Sequence, residues 1–137
     1  MKLSDQIEAA TGAERELFEA AFAACFPKPT PDCEPTWRPE NPKQSIFHAW
    51  KVRQIAFDHF VRAEAWTDAA LTLVPDGRSW GLDCNIERLD EHQMVTSDTA
   101  CSANIYHEGS KRWQGDECWG TTPALALCAA ALRARGL

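Results

Sequence analysis

Cysteine and histidine are the residue types in this chain best able to do chemistry. The sequence contains six cysteines and four histidines. Thiolate and imidazole groups bind zinc, and such a site could gather across neighbouring strands from Cys84, Cys101, His107 and Cys118. However, no histidine has the spacing of a metal motif, and there is no CxxC pair. Free thiols, several of them buried, explain the cysteines better, so we expect no metal and no other cofactor.

A catalytic nucleophile would be a second use for a cysteine. Cys118 lies between Glu117 and Trp119, and a neighbouring acid disfavours the reactive thiolate. The adjacent acids Asp90 and Glu91 could bind a cation, but such a pair is more typical of a solvated loop. A phosphate-binding loop, a nucleotide fingerprint and a nucleophile elbow are all missing from the sequence. We therefore expect no catalytic residues and predict that the protein is not an enzyme.

The charge of the chain is acidic overall and unevenly distributed. The net charge is −6, with acids concentrated in residues 1–26 and 83–98 and bases in residues 38–62. An acidic chain is a poor direct ligand for nucleic acid. It is suited to a basic protein surface, including one that normally holds nucleic acid. Ordinary solubility is the alternative reason for the charge.

Tryptophan is frequent, with six copies. Trp66 and Trp80 are predicted to pack in the core, whereas three others fall in or beside loops that carry charge. Exposed tryptophans beside acids suit a protein-binding surface, although they could instead seal the edges of the core. The candidate protein-binding residues are Trp37, Asp90, Glu91, Trp113, Asp116, Glu117 and Trp119.

Apolar spacing and capping residues predict four helices in the first part of the chain, over residues 4–10, 13–26, 46–59 and 66–74. Ser4 is the predicted cap of the first, and Thr67 or Asp68 that of the fourth. The third is ambiguous, because residues 45–63 fit both a strand alternation through Phe57 and a helical stripe. That stripe consists of Ala49, Val52, Ala56, Phe60 and Ala63. Six prolines between residues 27 and 42 predict an ordered loop or extended crossing over 27–44.

The last helix is the best specified element. Thr122 is its predicted N-cap, Pro123 fits the first helical position, and Gly136 can close it. Nine small or apolar residues, 124–132, run between these signals. A helix with almost no polar face in its middle is predicted to lie in the core.

Two alternating segments predict strands after the Pro75-Asp76-Gly77 turn. In residues 80–87 the predicted buried face is Trp80, Leu82, Cys84 and Ile86, and in residues 101–106 it is Cys101, Ala103 and Ile105. A hairpin turn at 107–110 and a short third strand near 111–114 follow, and 116–120 is predicted to be a connection. The expected architecture is one α+β domain over residues 1–137, with about three antiparallel strands packed by helices like a sandwich.

Three separated segments resemble a known group of proteins. They are IEAATGAEREL (7–17), DAALTLVPDG (68–77) and TTPALALCAAALRARG (121–136). In this order they resemble small prophage proteins of alpha-proteobacteria, which are themselves similar to the phage ABA-sandwich domain family. The resemblance implies a phage or prophage origin and an α+β sandwich, and it carries no catalytic residues. Residues 27–65 depart from it as a longer, proline-rich insertion.

These observations predict a non-enzymatic phage accessory protein that binds a host protein, which could be a nucleic-acid-binding complex. Inhibition of host defence, such as anti-CRISPR activity, is the sharpest form of this hypothesis. The alternatives are a structural or assembly protein that self-associates, for example as a homodimer, through the sheet edge or residues 46–66, and a metal-dependent enzyme. The N-terminal residues lack an apolar signal core and no apolar run spans a membrane, so a cytoplasmic location in the host cell is expected.

Overall fold

The computed structural model describes residues 1–29, 42–89, 91–92, 95–106 and 115–137. Helices and strands follow one another in the order predicted for an α+β chain. Their bounds are α1 Leu3–Glu8, α2 Arg15–Cys25, α3 Pro42–Arg62, α4 Trp66–Leu71, β1 Trp80–Leu89, β2 Val95–Tyr106, β3 Gly115–Gly120 and α5 Pro123–Ala134. None of the helices in these ranges is long and apolar enough to cross a membrane.

The sheet has three antiparallel strands in the order β1-β2-β3, which confirms the predicted fold class. Trp80 pairs with Ile105 and Leu82 with Ala103, and β1 then carries an irregularity between Asp83 and Ile86. On the other side of β2, Ala103 pairs with Cys118. The described part of the chain therefore places β2 between two edge strands.

The third strand is not where the sequence predicted it. Residues 111–114 lie outside the described ranges, and β3 is formed by Gly115–Gly120, the segment predicted to be a connection. Glycine and acidic residues at 115–117 are typical of turns, which misled the prediction. Pairing with β2 and burial of Cys118 outweigh that local preference.

Helix α5 forms the centre of the core as predicted. The Thr122 hydroxyl accepts a hydrogen bond from the Leu125 amide at 3.2 Å, and the nine residues from Ala124 to Leu132 are all buried. Gly120 allows α5 to approach β3, because a Cβ there would lie 2.6 Å from the backbone nitrogen of Ala126. Gly136 has the positive φ of +79° that suits the end of a helix.

Aromatic rings join α2 to α3 and α4 on the other side of this core. Phe18 and Trp66 have ring centroids 5.0 Å apart, and Phe22 and Phe57 stack at 4.8 Å. The core position predicted for Trp66 is confirmed, since it is partly buried against this cluster. The core position predicted for Trp80 is wrong, because its side chain is 44% exposed. Trp80 belongs to an edge strand, where α5 covers less of the sheet.

Helix α3 is longer than the helix favoured from sequence, and its buried side differs from the predicted stripe. Val52 is 54% exposed, and Ala49, Ala56 and Ala63 are also exposed. Phe57 and Val61 are buried instead, and of the predicted stripe only Phe60 packs against the core, where it is partly buried. The helix has apolar residues on two sides, and the side with the larger aromatic rings gains more from packing on α2.

Two predicted caps are wrong. Ser4 is buried and donates a hydrogen bond to the Leu137 carbonyl at 2.9 Å, while Lys2 occupies the N-cap position of α1. Helix α4 begins at Trp66 with no side-chain cap. The Pro75 turn is confirmed, with the Arg78 amide donating to the Pro75 carbonyl at 3.1 Å. Of the proline-rich segment 27–44, residues 30–41 lie outside the described ranges, and Pro42 already begins α3.

Candidate functional site

The sheet has one face towards α5 and an opposite face, which we call the outer sheet face. On the central strand β2 the residues facing α5 are apolar and buried, namely Cys101, Ala103 and Ile105. Because side chains alternate along a strand, their neighbours project to the other side. The described side chains of the outer sheet face, apart from Gly81, are Asp83, Ser102, Asn104, Tyr106, Glu117 and Trp119.

The centre of the outer sheet face is a row that crosses all three strands. Asp83 pairs with Ser102, which in turn pairs with Trp119. Ser102 is buried, and its hydroxyl donates a hydrogen bond to Glu117 Oε1 at 2.9 Å. This bond fixes the Glu117 carboxylate beside the tryptophan. Three strands thus hold the acids and the indole at fixed spacing.

A second row contributes an aromatic ring. Asn104 lies between Gly81 and Glu117 in the register. Tyr106 reaches over Gly81, where an added Cβ would lie 2.9 Å from the Tyr106 Oη. The absence of a side chain at position 81 therefore lets the tyrosine ring lie on the sheet. The Oδ1 of Asn104 is buried and has no hydrogen-bond partner in the described structure.

The electrostatic character of the outer sheet face is negative. Asp83 and Glu117 are both exposed, and the six described side chains include no base. Tyr106 and Trp119 are half-buried beside them. Acids with adjacent aromatic surface are suited to recognise a basic protein surface, because ring area provides affinity and charge provides orientation.

The outer edge of β3 beside this face is covered by side chains from the two terminal helices. The Trp119 amide donates to Glu8 Oε1 at 3.0 Å, and Arg133 Nη1 donates to the Glu117 carbonyl at 3.4 Å. Arg133 Nη2 also donates to Asp5 Oδ1 at 2.8 Å and to Glu8 Oε2 at 2.6 Å. Hydrogen bonding to the Asp5 carboxylate raises the pKa of Arg133 and lowers the pKa of Asp5. We call Asp5, Glu8 and Arg133 the edge cluster.

Of the seven residues predicted from sequence, the structure brings two together. Glu117 and Trp119 share the outer sheet face. Asp116 is part of β3 and pairs with Ile105. Glu91 lies in an exposed turn, where its Oε1 is 3.6 Å from His92 Nε2. The other three, Trp37, Asp90 and Trp113, lie outside the described residues.

Sequence reasoning missed several members of the outer sheet face. Asp83, Ser102 and Asn104 were recognised as the polar alternation of two strands, and Tyr106 as the end of one. The signal that would have joined them to Glu117 and Trp119 was the same alternation in 115–120. It went unused because that segment was predicted to be a connection.

Most of the described cysteines lie away from solvent. Cys101, Cys118 and Cys128 are buried. Burial raises the pKa of Cys25 to about 11, and it raises the pKa of Cys128 as well. Cys84 is exposed, contrary to the buried position predicted for it. Within the described ranges no three histidine, cysteine or acidic side chains are grouped to hold a metal, and His107 of the predicted zinc set lies outside them.

Comparison with known proteins adds no relative. No family model matches the sequence, and searches of curated proteins and of solved structures returned no match.

Proposed function

We propose that this chain is a phage or prophage accessory protein that acts by binding a basic surface of a host protein. The observation that carries the proposal is the outer sheet face, where Asp83 and Glu117 stand exposed beside Tyr106 and Trp119. Binding of this kind needs no catalytic group and no cofactor. The resemblance of three sequence segments to small prophage proteins supports the phage setting.

The outer sheet face is suited to binding because its geometry is set before a partner arrives. Asp83, Ser102 and Trp119 are held by strand pairing, and the Ser102 hydroxyl orients Glu117. Groups that are already ordered lose less conformational entropy on association than groups on a mobile loop. A tryptophan within such a surface is a residue type that often dominates binding energy.

In its sharpest form, the proposal is that the host partner belongs to a defence system that binds nucleic acid. The basic channel of such a complex attracts acidic surfaces, and a protein seated on it would block access by charge and by steric exclusion. Inhibition of this type, as in anti-CRISPR proteins, requires affinity for the basic channel and no chemical step.

A charge-reversal experiment tests the proposal. The Asp83→Lys/Glu117→Lys variant reverses both exposed acids of the outer sheet face. The Glu14→Lys/Glu16→Lys variant changes the net charge equally at two exposed positions, the N-cap residue of α2 and a residue of its first turn. Immobilised wild-type protein is expected to retain a stoichiometric host protein at low salt. The first variant should lose that protein and the second should keep it, provided that both melt cooperatively.

Two outcomes would count against the proposal. Recovery of no stoichiometric partner from host lysate at low salt would argue against host-protein binding. Equal retention by both variants would place binding away from the outer sheet face. The defence hypothesis has its own readout, since cells that express the wild type should lose restriction of a targeted phage while cells with the Asp83→Lys/Glu117→Lys variant retain it.

A further inference from the structure

The first half of β1 presents backbone hydrogen-bonding groups away from the sheet. The Tyr106 amide donates to the Ser79 carbonyl at 3.0 Å, which marks these two residues as a hydrogen-bonded pair. In an antiparallel ladder such pairs recur at every second residue. Gly81 and Asp83 therefore turn their N–H and C=O groups towards β2. Trp80 and Leu82 turn theirs outward.

This outer edge of β1 is uncovered in the described structure, unlike the edge of β3. No described side chain or strand bonds to the outward groups of Trp80 or Leu82, whereas the edge cluster covers Glu117 and Trp119. The side chains along the β1 edge are also accessible. Trp80 is 44% exposed and Cys84 is exposed. An accessible strand edge with exposed apolar side chains pairs readily with another strand.

We propose that the β1 edge pairs with the β1 edge of a second copy of this chain, antiparallel and centred on Leu82. The two Leu82 residues would exchange their outward N–H and C=O groups across a two-fold axis. Trp80 would then lie opposite Cys84 of the second copy. The two three-stranded sheets would become one sheet of six strands.

Three features favour a second copy over an unrelated strand. The pairing about Leu82 places Asp83 opposite Gly81 of the second copy, so like charges do not face each other directly. It buries the exposed Trp80 and Cys84 against one another. Regular pairing of β1 with β2 ends at Asp83, where the irregularity up to Ile86 begins, so the regular edge is a short segment around Leu82.

The edge cluster limits the assembly to two copies. A two-fold contact uses the same surface on both copies and closes on itself. Further growth through sheet edges would need the outer edge of β3, where Glu8 and Arg133 already occupy the backbone groups. The proposed dimer forms through backbone groups of the β1 edge, whereas the proposed host binding uses side chains of the outer sheet face.

Light scattering after size exclusion tests the dimer directly. The wild type is expected to have twice the chain mass of 15.3 kDa. The Leu82→Pro variant removes an outward N–H and no bond of the β1–β2 ladder, so the mass should fall by half. The Trp80→Lys variant places a charge on the exposed edge and should have the same effect, which guards against a folding defect in the proline variant.

A variant on another exposed apolar surface provides the control. Ile55 is 57% exposed on α3, within the other segment predicted to self-associate. Ile55→Lys should leave the dimer mass unchanged, and Cys84 should react faster with a thiol reagent in Leu82→Pro than in the wild type. A monomeric wild type would overturn the proposal. So would a dimer that survives Leu82→Pro and Trp80→Lys.

Discussion

The two edges of the sheet differ in whether their outward backbone groups have hydrogen-bond partners. Each edge strand has backbone groups that find no partner in β2. At β3 the Trp119 amide is bound by Glu8 and the Glu117 carbonyl by Arg133. At β1 the corresponding groups of Trp80 and Leu82 have no described partner. Among the described residues, one edge is completed by side chains of the same chain, whereas the other has neither a partner strand nor a covering side chain.

Whether a sheet edge is covered in this protein depends on contacts between residues that are distant in the sequence. Glu8 precedes Trp119 by 111 residues, and Arg133 comes from the helix after β3. The residues that cover β3 therefore lie outside it, and neither β1 nor β3 contains a proline. Local composition would therefore not have distinguished the two edges. Contacts made by the first and last helices decide which edge is closed.

The largest expected effect comes from separating β3 from α5. A Cβ at position 120 would lie 2.6 Å from the backbone nitrogen of Ala126. Neither atom could rotate away, because a Cβ is fixed by its own backbone and the nitrogen is part of α5. We expect Gly120→Ala to lower the free energy of unfolding by about 3 kcal/mol, because helix and strand must move apart. Chemical denaturation measures this change.

A second glycine provides the control for Gly120→Ala. Nothing lies within 4 Å of a Cβ at Gly12, so Gly12→Ala should stay within about 0.5 kcal/mol of the wild type. If both substitutions lowered the free energy of unfolding equally, the close approach of α5 to β3 would not explain the effect of Gly120→Ala.

Opening the covered edge should have the next largest effect. Arg133→Met keeps most of the aliphatic stem but removes the hydrogen bonds to Asp5, Glu8 and the Glu117 carbonyl. The Arg133 side chain is 33% exposed, so solvent screens part of the interaction. We expect a loss of about 2 kcal/mol in denaturation, with faster hydrogen exchange of the Trp119 amide.

An exposed arginine tests whether the location of the cluster matters. Arg15 Nε lies 2.6 Å from Glu19 Oε1, as short as the Arg133–Glu8 contact, but its side chain is 54% exposed. Arg15→Met should leave stability close to that of the wild type. If it destabilised the protein as much as Arg133→Met, coverage of the β3 edge would not explain the effect.

The cap of α5 should contribute less than the edge cluster. Thr122→Ala removes the acceptor of the Leu125 amide, and we expect a loss of about 1 kcal/mol in thermal or chemical unfolding. Thr67→Ala is the matched control, because Thr67 is exposed and makes no capping bond to α4. The effect of Thr67→Ala should remain within about 0.5 kcal/mol. A larger loss would support the prediction from sequence that Thr67 caps α4.

The smallest expected effect is a dependence of stability on pH in the acid range. The hydrogen bond from Arg133 lowers the pKa of Asp5, so this carboxylate stabilises the folded state above its unfolded pKa of about 3.9 and loses that contribution as the pH falls through the folded value. The melting temperature of Asp5→Asn should therefore lie below that of the wild type at neutral pH. The two melting temperatures should converge in acid. A difference that stays constant with pH would contradict the role given to the Asp5 carboxylate.

The parts of the fold that could be predicted from sequence are those specified by local chemistry. Thr122, Pro123 and Gly136 define α5 through capping and backbone preference, and the alternation through Cys101 and Ile105 defines a buried strand face. The α3 helix was also correctly favoured over a strand. In each case the residues that determine the structure lie within a few positions of one another.

The failures occurred where distant contacts decide the outcome. Val52 and Phe57 lie on two apolar sides of α3, and stacking on Phe22 selects the side with Phe57. Ser4 has the chemistry of a cap but bonds to Leu137 instead. In the candidate site, Glu117 and Trp119 were predicted as binding residues. Their connection to Asp83 and Ser102 required the register of β3, which its turn-like composition concealed.

The edge cluster also has a consequence for the folding of the chain. Glu8 and Arg133 come from opposite ends of the sequence, so the β3 edge is covered only after both α1 and α5 have docked. Until then Glu8 has only part of its final bonding, and the Glu117 carbonyl remains open to other chains. A folding intermediate that has formed β3 but not yet docked α5 therefore exposes a second open sheet edge, beside that of β1.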